Sequence, residues 1–339
     1  MSSMTTTRKE LPLGDITQQM ATFRVSQNYH LSRKPLRTQN RAPRGENQEN
    51  IDPVKKHVRN IDAEDADKFQ FCSTYVNDVF WYAFKTEGNS IVPSNYLDDH
   101  VVTPRFRAIL INRLVEVHDK FRLSPEVIYL TVNFVDRYLY ATPEATKKQL
   151  HAIGVTAMLL ACKVEEVSVP AVGDFVYITD HEASKDEIMA LEVDILKKLK
   201  CDVMPMHALF FLRRFSKAGD VAPKKHCIAK YIIELSFVEI AFTQVLPSKV
   251  AACALYLTLR LAAVSSYANC WDSTLEHYST YSEADLVDTA VEMLELVKNA
   301  GRSSCMAVHN KYKQSKCNKT ALYPEVSREN AQKLALRMK

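Results

Sequence analysis

Two runs in this chain are apolar on nearly every side and have helical length: LHAIGVTAMLLACKVEE from Leu150 and LPSKVAACALYLTLRLA from Leu246. An α-helix without a polar face must be wrapped by neighbours, so each run calls for a bundle of its own. The segments around them are apolar on one face only. PRFRAILINRLVEVHDKF, opened by Thr103-Pro104, puts Phe106, Ile109, Leu110, Leu114 and Val117 on one side, with proline at the first helical position. Ser124-Pro125-Glu126 opens another helix through Tyr138; the first apolar run spans 147–166, a short helix begins at Pro170, and 184–199 gives one more. Gly154, Ala157 and Ala161 on the first run allow close helix–helix approach.

After Cys201-Asp202-Val203-Met204-Pro205 the scheme restarts, with helices expected at 207–217, 223–240, 247–264 and 282–300. The halves repeat in pattern and only weakly in sequence. The expected fold class is all-α: two tandem helical bundles, each around one buried helix. Seven glycines in 339 residues speak against hairpin-rich β folds and glycine-rich phosphate loops.

Ahead of the bundles, FQFCSTYVNDVFWYAFKTEG repeats Tyr75, Val79 and Tyr82 along one face of an amphipathic helix. The stretch before it is polar and basic without apolar period, and is expected to stay disordered because it buries too little to offset its ordering entropy. Residues 1–61 hold eleven Lys/Arg against five Asp/Glu, so the formal charge of +4 comes from this tail while the remainder is −2. The domain reading is a regulatory tail over 1–60, a first bundle with its leading helix over 61–204, a second bundle over 205–318 and a C-terminal tail over 319–339.

Signatures of catalysis are missing. The chain has no G-x-x-x-x-G-K-[ST], H-E-x-x-H or G-x-S-x-G, and its ten histidines lack metal-ligand spacing. Glu165-Glu166 are neighbours on a helix and point different ways, which suits a solvated helix end better than an acid/base dyad. Eight cysteines without a C-x-x-C pair, several inside apolar runs, read as free thiols of a reducing compartment, nucleus or cytoplasm. No signal peptide is expected, and charges interrupt each apolar run before membrane-spanning length. A binding protein without metal or cofactor is expected.

FRAILINRLVEVHDKFRL resembles the opening of the cyclin box, and VTAMLLACKVEEVSVPAVGDFVYITD its central signature. FLRRFSKAGDV, KYIIEL, LPSKVAA and HNKYKQSK resemble the second box of B-type, G2/mitotic-specific cyclins. The resemblance covers roughly residues 57 to 318. It implies two tandem cyclin boxes in a non-enzymatic subunit that binds and activates a mitotic cyclin-dependent protein kinase. Lys163 and Glu192 match the family's signature pair, which bonds to the kinase backbone near its movable C-helix. On the residues alone they are a lysine with its stem along apolar surface and a solvated carboxylate. Leu150, Val164, Leu196, Cys201 and Val203 match apolar kinase contacts, and Tyr75, Val79 and Tyr82 a kinase-facing stripe. By residue pattern that stripe serves equally for docking onto the first bundle.

The resemblance also implies a substrate-docking patch for R-x-L motifs, here Phe106, Ile109, Leu110, Arg113 and Glu116. Arg113 stands where the family has tryptophan, and Asn112 where it has an acidic residue. An arginine inside the patch is expected to repel an incoming arginine. Arg107 and Asp136 are read as structural, since a buried arginine must be paired. In the tail, Arg8 and Leu11 give an R-x-x-L that resembles a degron read by ubiquitin-ligase machinery; Arg33, Lys34, Arg37, Arg41 and Arg44 form a loose basic cluster suited to nuclear import. Competing readings are a transcription-type cyclin, a double-cyclin-fold transcription factor and an unrelated helical scaffold. The transcription factor calls for a zinc ribbon and basic lobes, whereas no cysteine precedes Cys72 and the lobes net −2. Neither nucleic acid nor membrane is an expected partner.

Overall fold

The computed structural model describes residues 58–65, 67–179, 183–263 and 270–338; Arg8, Leu11 and the basic cluster of the tail lie outside them. Among the described residues all regular structure is helical. A leading helix α1 (Val76–Thr86) precedes a first bundle of α2 (Pro104–Phe121), α3 (Pro125–Tyr140), α4 (Leu150–Glu165), α5 (Val172–Ile178) and α6 (Lys185–Lys198). A second bundle follows: α7 (Ala208–Ala218), α8 (Pro223–Ser236), α9 (Pro247–Ala262), α10 (Ser273–Ser279), α11 (Glu283–Asn299), α12 (Ala307–Lys313) and α13 (Arg328–Arg337). No described helix is long and apolar enough to cross a membrane.

The two runs without a polar face are the two central helices. α4 packs against α2, α3, α5 and α6, and α9 against α7, α8, α10, α11 and α13. Ile153 through Cys162 on α4 and Val250 through Thr258 on α9 are continuously buried. Burial pushes the thiols of Cys162 and Cys253 up to about 12, so both behave as small apolar side chains. Proline begins α2, α3, α8 and α9, where its missing N–H has no helical partner to lose. α6 begins with a reciprocal cap: Ser184 Oγ accepts from Glu187 N (3.2 Å) while Ser184 N donates to Glu187 Oε2 (2.8 Å). At Gly154 the helices come close enough that a Cβ would stand 2.8 Å from Leu110 Cδ1, so α2 and α4 cross there.

Four helices depart from the sequence expectation. α8 ends at Ser236 instead of continuing to 240, and a 3-10 turn, Ile240–Gln244, follows. α10 and α12, seven residues each, are too short to display a period. The stretch assigned to a C-terminal tail packs on the second bundle: Thr320, Val326, Ala331 and Leu334 are buried, and α13 lies against α11 and α9. So few apolar residues in a polar segment give no amphipathic signal.

The leading segment, grouped with the first bundle from sequence, is held by the second. Phe80 stacks on Phe210 with centroids 4.8 Å apart, and Phe84 approaches Phe211 at 5.0 Å, both partners on α7. Asp62 takes both arms of Arg214 (2.5 and 2.6 Å) and Lys217 Nζ (2.9 Å). Glu87, just past α1, is buried and accepts from Ser248 N (2.8 Å) and Ser248 Oγ (2.7 Å) at the first turn of α9. A carboxylate there meets the positive end of the helix dipole, although burial pushes its pKa up.

The bundles are joined by a buried clasp. Arg107 on α2 donates from Nε to Asp136 Oδ1 (2.6 Å) and from Nη2 to Oδ2 (2.7 Å), Asp136 being on α3. Its Nη1 reaches the Phe237 carbonyl (2.8 Å), one of those left open at the end of α8. Tyr96 Oη donates to Asp136 Oδ1 (2.8 Å). Burial opposes the arginine's charge, yet the Asp136 carboxylate holds its pKa above the ordinary value.

Asp136→Asn is expected to cost about 3–5 kcal/mol in urea unfolding, because it leaves a buried guanidinium without its counter-charge. The paired replacement Arg107→Met, Asp136→Leu is expected to cost less than Asp136→Asn alone. A second expectation concerns acid. Hydrogen bonding to Arg214 holds the Asp62 carboxyl below its ordinary 3.8. The stability it contributes is therefore present above that pH and lost as pH falls through the lowered value. The urea-midpoint gap between wild type and Asp62→Asn is expected to be wide at neutral pH and to close in the acid range below 3.8.

Candidate functional site

Lys163 sits in the last turn of the buried helix α4, where a cation complements the open carbonyls and the negative end of the dipole. Glu192 projects from α6, which packs alongside α4. The two side chains meet in an ion pair at the rim of the first bundle, the lysine half-exposed and the glutamate mostly covered. A pair in this state keeps part of its donor and acceptor capacity open to a partner.

Apolar surface surrounds the pair. Val164, Leu196 and Val203 are partly buried and pack on the core, leaving edges outward. Cys201 is exposed, in a left-handed turn (φ 57°) that ends α6 and starts the passage to the second bundle. The sequence reading missed two members of this face. Met189 and Val193 are 48% and 51% exposed, and with Glu192 and Leu196 they occupy one side of α6. Their spacing around Glu192 was visible; what was hidden is that these two side chains face solvent.

Leu150 does not belong to this rim. Thirteen helical residues place it roughly 20 Å along α4 from Lys163, at the opposite end, where it lines a groove with Phe106, Ile109, Leu110, Lys147, Lys148 and His151. It therefore stands apart in the fold from the rim residues with which the family resemblance groups it. Of the expected patch, Phe106 and Ile109 are 37% and 51% exposed and Leu110 is buried beneath them. Arg113 is not among the lining residues. It lies one turn along α2 and donates from Nη1 to Glu116 Oε2 (3.0 Å), while Asn112 Nδ2 donates to Glu116 Oε1 (3.4 Å). Asn112 Oδ1 also accepts from Ala307 N (2.8 Å) at the start of α12, so this position serves the seam between the bundles.

Tyr75 at the cap of α1 and Val79 and Tyr82 on it all point to solvent, while Phe80 and Phe84 face α7. Trp81, absent from the sequence reading, is 64% exposed on the flank of the same helix. The stripe is thus carried by the second bundle and the Lys163–Glu192 rim by the first.

No group of three or more His, Cys, Asp or Glu among the described residues could hold a metal ion. The adjacent carboxylates separate as the helix geometry requires: Glu166 accepts from Ser124 N (2.5 Å) at the start of α3, and burial raises the pKa of Glu165.

Residues 78–204 match the cyclin N-terminal domain and residues 206–326 the cyclin C-terminal domain. The chain is 45% identical over 268 residues to the G2/mitotic-specific cyclin-B of Spisula solidissima, covering 79% of this chain and 61% of that protein. The corresponding figures are 41% over 259 residues, 76% and 66% for the G2/mitotic-specific cyclin-B of Marthasterias glacialis, and 40% over 281 residues, 83% and 76% for that of Hydra vulgaris. The chain thus spans less than two thirds of the Spisula and Marthasterias proteins. A viral cyclin from herpesvirus saimiri has the same fold, with a TM-score of 0.54 and 23% identity over 69% of this chain and 99% of that one.

An exposed ion pair contributes little to stability. Lys163→Ala, Glu192→Ala is therefore expected to lower the unfolding free energy by no more than about 1 kcal/mol, with an unchanged helical circular-dichroism spectrum; a larger loss would make the pair structural.

Proposed function

Because the chain belongs to the cyclin family, among its B-type members, we propose that it is a non-catalytic subunit that binds and activates a cyclin-dependent protein kinase to drive entry into and progress through mitosis. The observation that carries the reading is the half-exposed Lys163–Glu192 pair framed by Met189, Val193, Val164, Leu196, Cys201 and Val203. Polar anchors inside an apolar surface are the composition of a protein–protein interface.

The physical action follows from what such a kinase lacks when alone. Phosphoryl transfer requires a Lys–Glu ion pair that involves the kinase's C-helix, and a metal-binding Asp, to be in place together. Lys163 and Glu192 bond to backbone groups beside that helix, and the apolar face packs it inward. The two-state element is thereby biased to its active arrangement, and the activation segment is released. Tyr75, Val79 and Tyr82 on α1 form the second contact. Because they ride on the other bundle, the clasp at Arg107 sets the spacing between the two contacts.

Further parts of the reading concern regulation. The groove at Phe106, Ile109 and Leu110 serves substrates or inhibitors. Arg8 and Leu11 mark the chain for ubiquitin-ligase machinery, and the basic cluster from Arg33 to Arg44 supports passage between cytoplasm and nucleus.

The test is histone-kinase activity of a mitotic cyclin-dependent kinase titrated with this chain. Strong activation is expected, with Lys163→Ala, Glu192→Ala raising the half-maximal concentration about 30-fold or more, as loss of interface anchors does. Activation unchanged in the double variant would move the binding energy to the apolar face. Absence of both complex and activation in wild type would overturn the reading.

A further inference from the structure

The groove between α2 and the turn entering α4 has an apolar floor and a cationic rim. Leu110 and Leu150 are buried at its base, and Phe106 and Ile109 are exposed along its wall. Lys147 and Lys148 are exposed on the opposite lip, with Lys147 Nζ 4.2 Å from the centroid of the Phe106 ring, and His151 completes the lining. No aspartate or glutamate is among these lining residues. Of the arginines on α2 ahead of its first carboxylate, Glu116, Arg107 is buried against Asp136 and Arg113 is paired with Glu116, while Arg105 is exposed. That carboxylate is already engaged by Arg113 and Asn112. The positive end of the α2 dipole lies near Phe106, in the helix's first turn, and adds to the field.

A ligand with arginine or lysine beside its apolar anchors meets cations here and no carboxylate in the lining to receive them. One with aspartate or glutamate meets Lys147, Lys148 and the helix end. We propose that this groove docks a linear peptide segment of a protein partner whose leucine or phenylalanine anchors are flanked by acidic residues. The proposal rests on the reading of the chain as a regulatory subunit that recruits substrates or inhibitors. It specifies their chemistry as acidic and apolar, the reverse of the basic motif the resemblance implies. Exposed charge pairs at such a rim act mainly through selectivity, by rejecting the wrong sign.

Fluorescence anisotropy of the full chain with two labelled peptides tests this. The peptides share one Leu/Phe core and differ only in Asp/Glu or Arg/Lys flanks. The acidic peptide is expected to bind about tenfold tighter at low salt, the sum of two or three exposed ion pairs, and the gap is expected to narrow as salt rises. Lys147→Glu, Lys148→Glu, both on exposed side chains, is expected to reverse the order, and Ile109→Ala to weaken both peptides. Equal or tighter binding of the basic peptide, binding of neither, or an acidic preference that survives the charge reversal overturns the proposal. Kinase activation on a short substrate without docking sequence reads the regulatory function separately. The charge-reversed chain is expected to retain it. A wild-type chain that binds the acidic peptide but activates no kinase would overturn the regulatory reading and leave the groove's preference standing.

Discussion

Arg107 spends each arm of its guanidinium inside the protein. Two bonds hold Asp136 within the first bundle, and the third reaches the Phe237 carbonyl at the end of α8 in the second. Taking both charges out of water costs several kcal/mol per ion before pairing, and the bidentate geometry with a further bond from Tyr96 offsets that cost. A hydrophobic contact at this seam would tolerate sliding. A planar fork with fixed acceptors does not, so the bundles take one relative placement.

The two parts of the proposed kinase-binding surface depend on that placement. The rim at Lys163 and Glu192 belongs to α4 and α6, whereas the stripe of Tyr75, Val79 and Tyr82 is mounted on the second bundle by Phe80 and Phe84. Other seam contacts use the same device of a charged group aimed at a particular acceptor. Glu126 on α3 pairs with Arg213 on α7, and Glu87 meets the first turn of α9. Within the second bundle, Glu234 is wholly buried; burial works against its charge, but Lys311 and Lys230 hold its carboxyl below the ordinary range, and Tyr312 donates to it at 2.6 Å. Apolar packing builds each bundle, and buried polar pairs register the pieces.

The limits of reading the chain as a string are physical. Helices with a continuous stripe, or with none because they are central, announced themselves through periodicity, and proline marked several of their starts. α10, α12 and α13 did not, since seven residues, or ten with few apolar positions, give no periodic signal. Leu150 and Lys163 lie on one helix and match contacts of one partner in the family resemblance, yet roughly 20 Å of rise separates their surroundings. Arg113 reads as an intruder in an apolar patch until its partner one turn along the helix is seen to be Glu116. Met189 and Val193 carried the right spacing, but whether an apolar face turns inward depends on the neighbour it meets.

From the sequence by itself came the all-helical class, the two buried central helices, the division near residues 201–205 and the pairing of interest between Lys163 and Glu192. The first three follow from local periodicity and from side chains whose burial needs are intrinsic; the last follows from the resemblance to the cyclin box. Only the tertiary structure decided that the leading helix rests on the second bundle, that Arg107 spans the seam, that Leu150 belongs to the groove and that the groove's rim is cationic. Each of these is a contact between residues distant along the chain. Local pattern cannot specify it, because the partner is selected by the shape and charge left exposed once the separate pieces have packed.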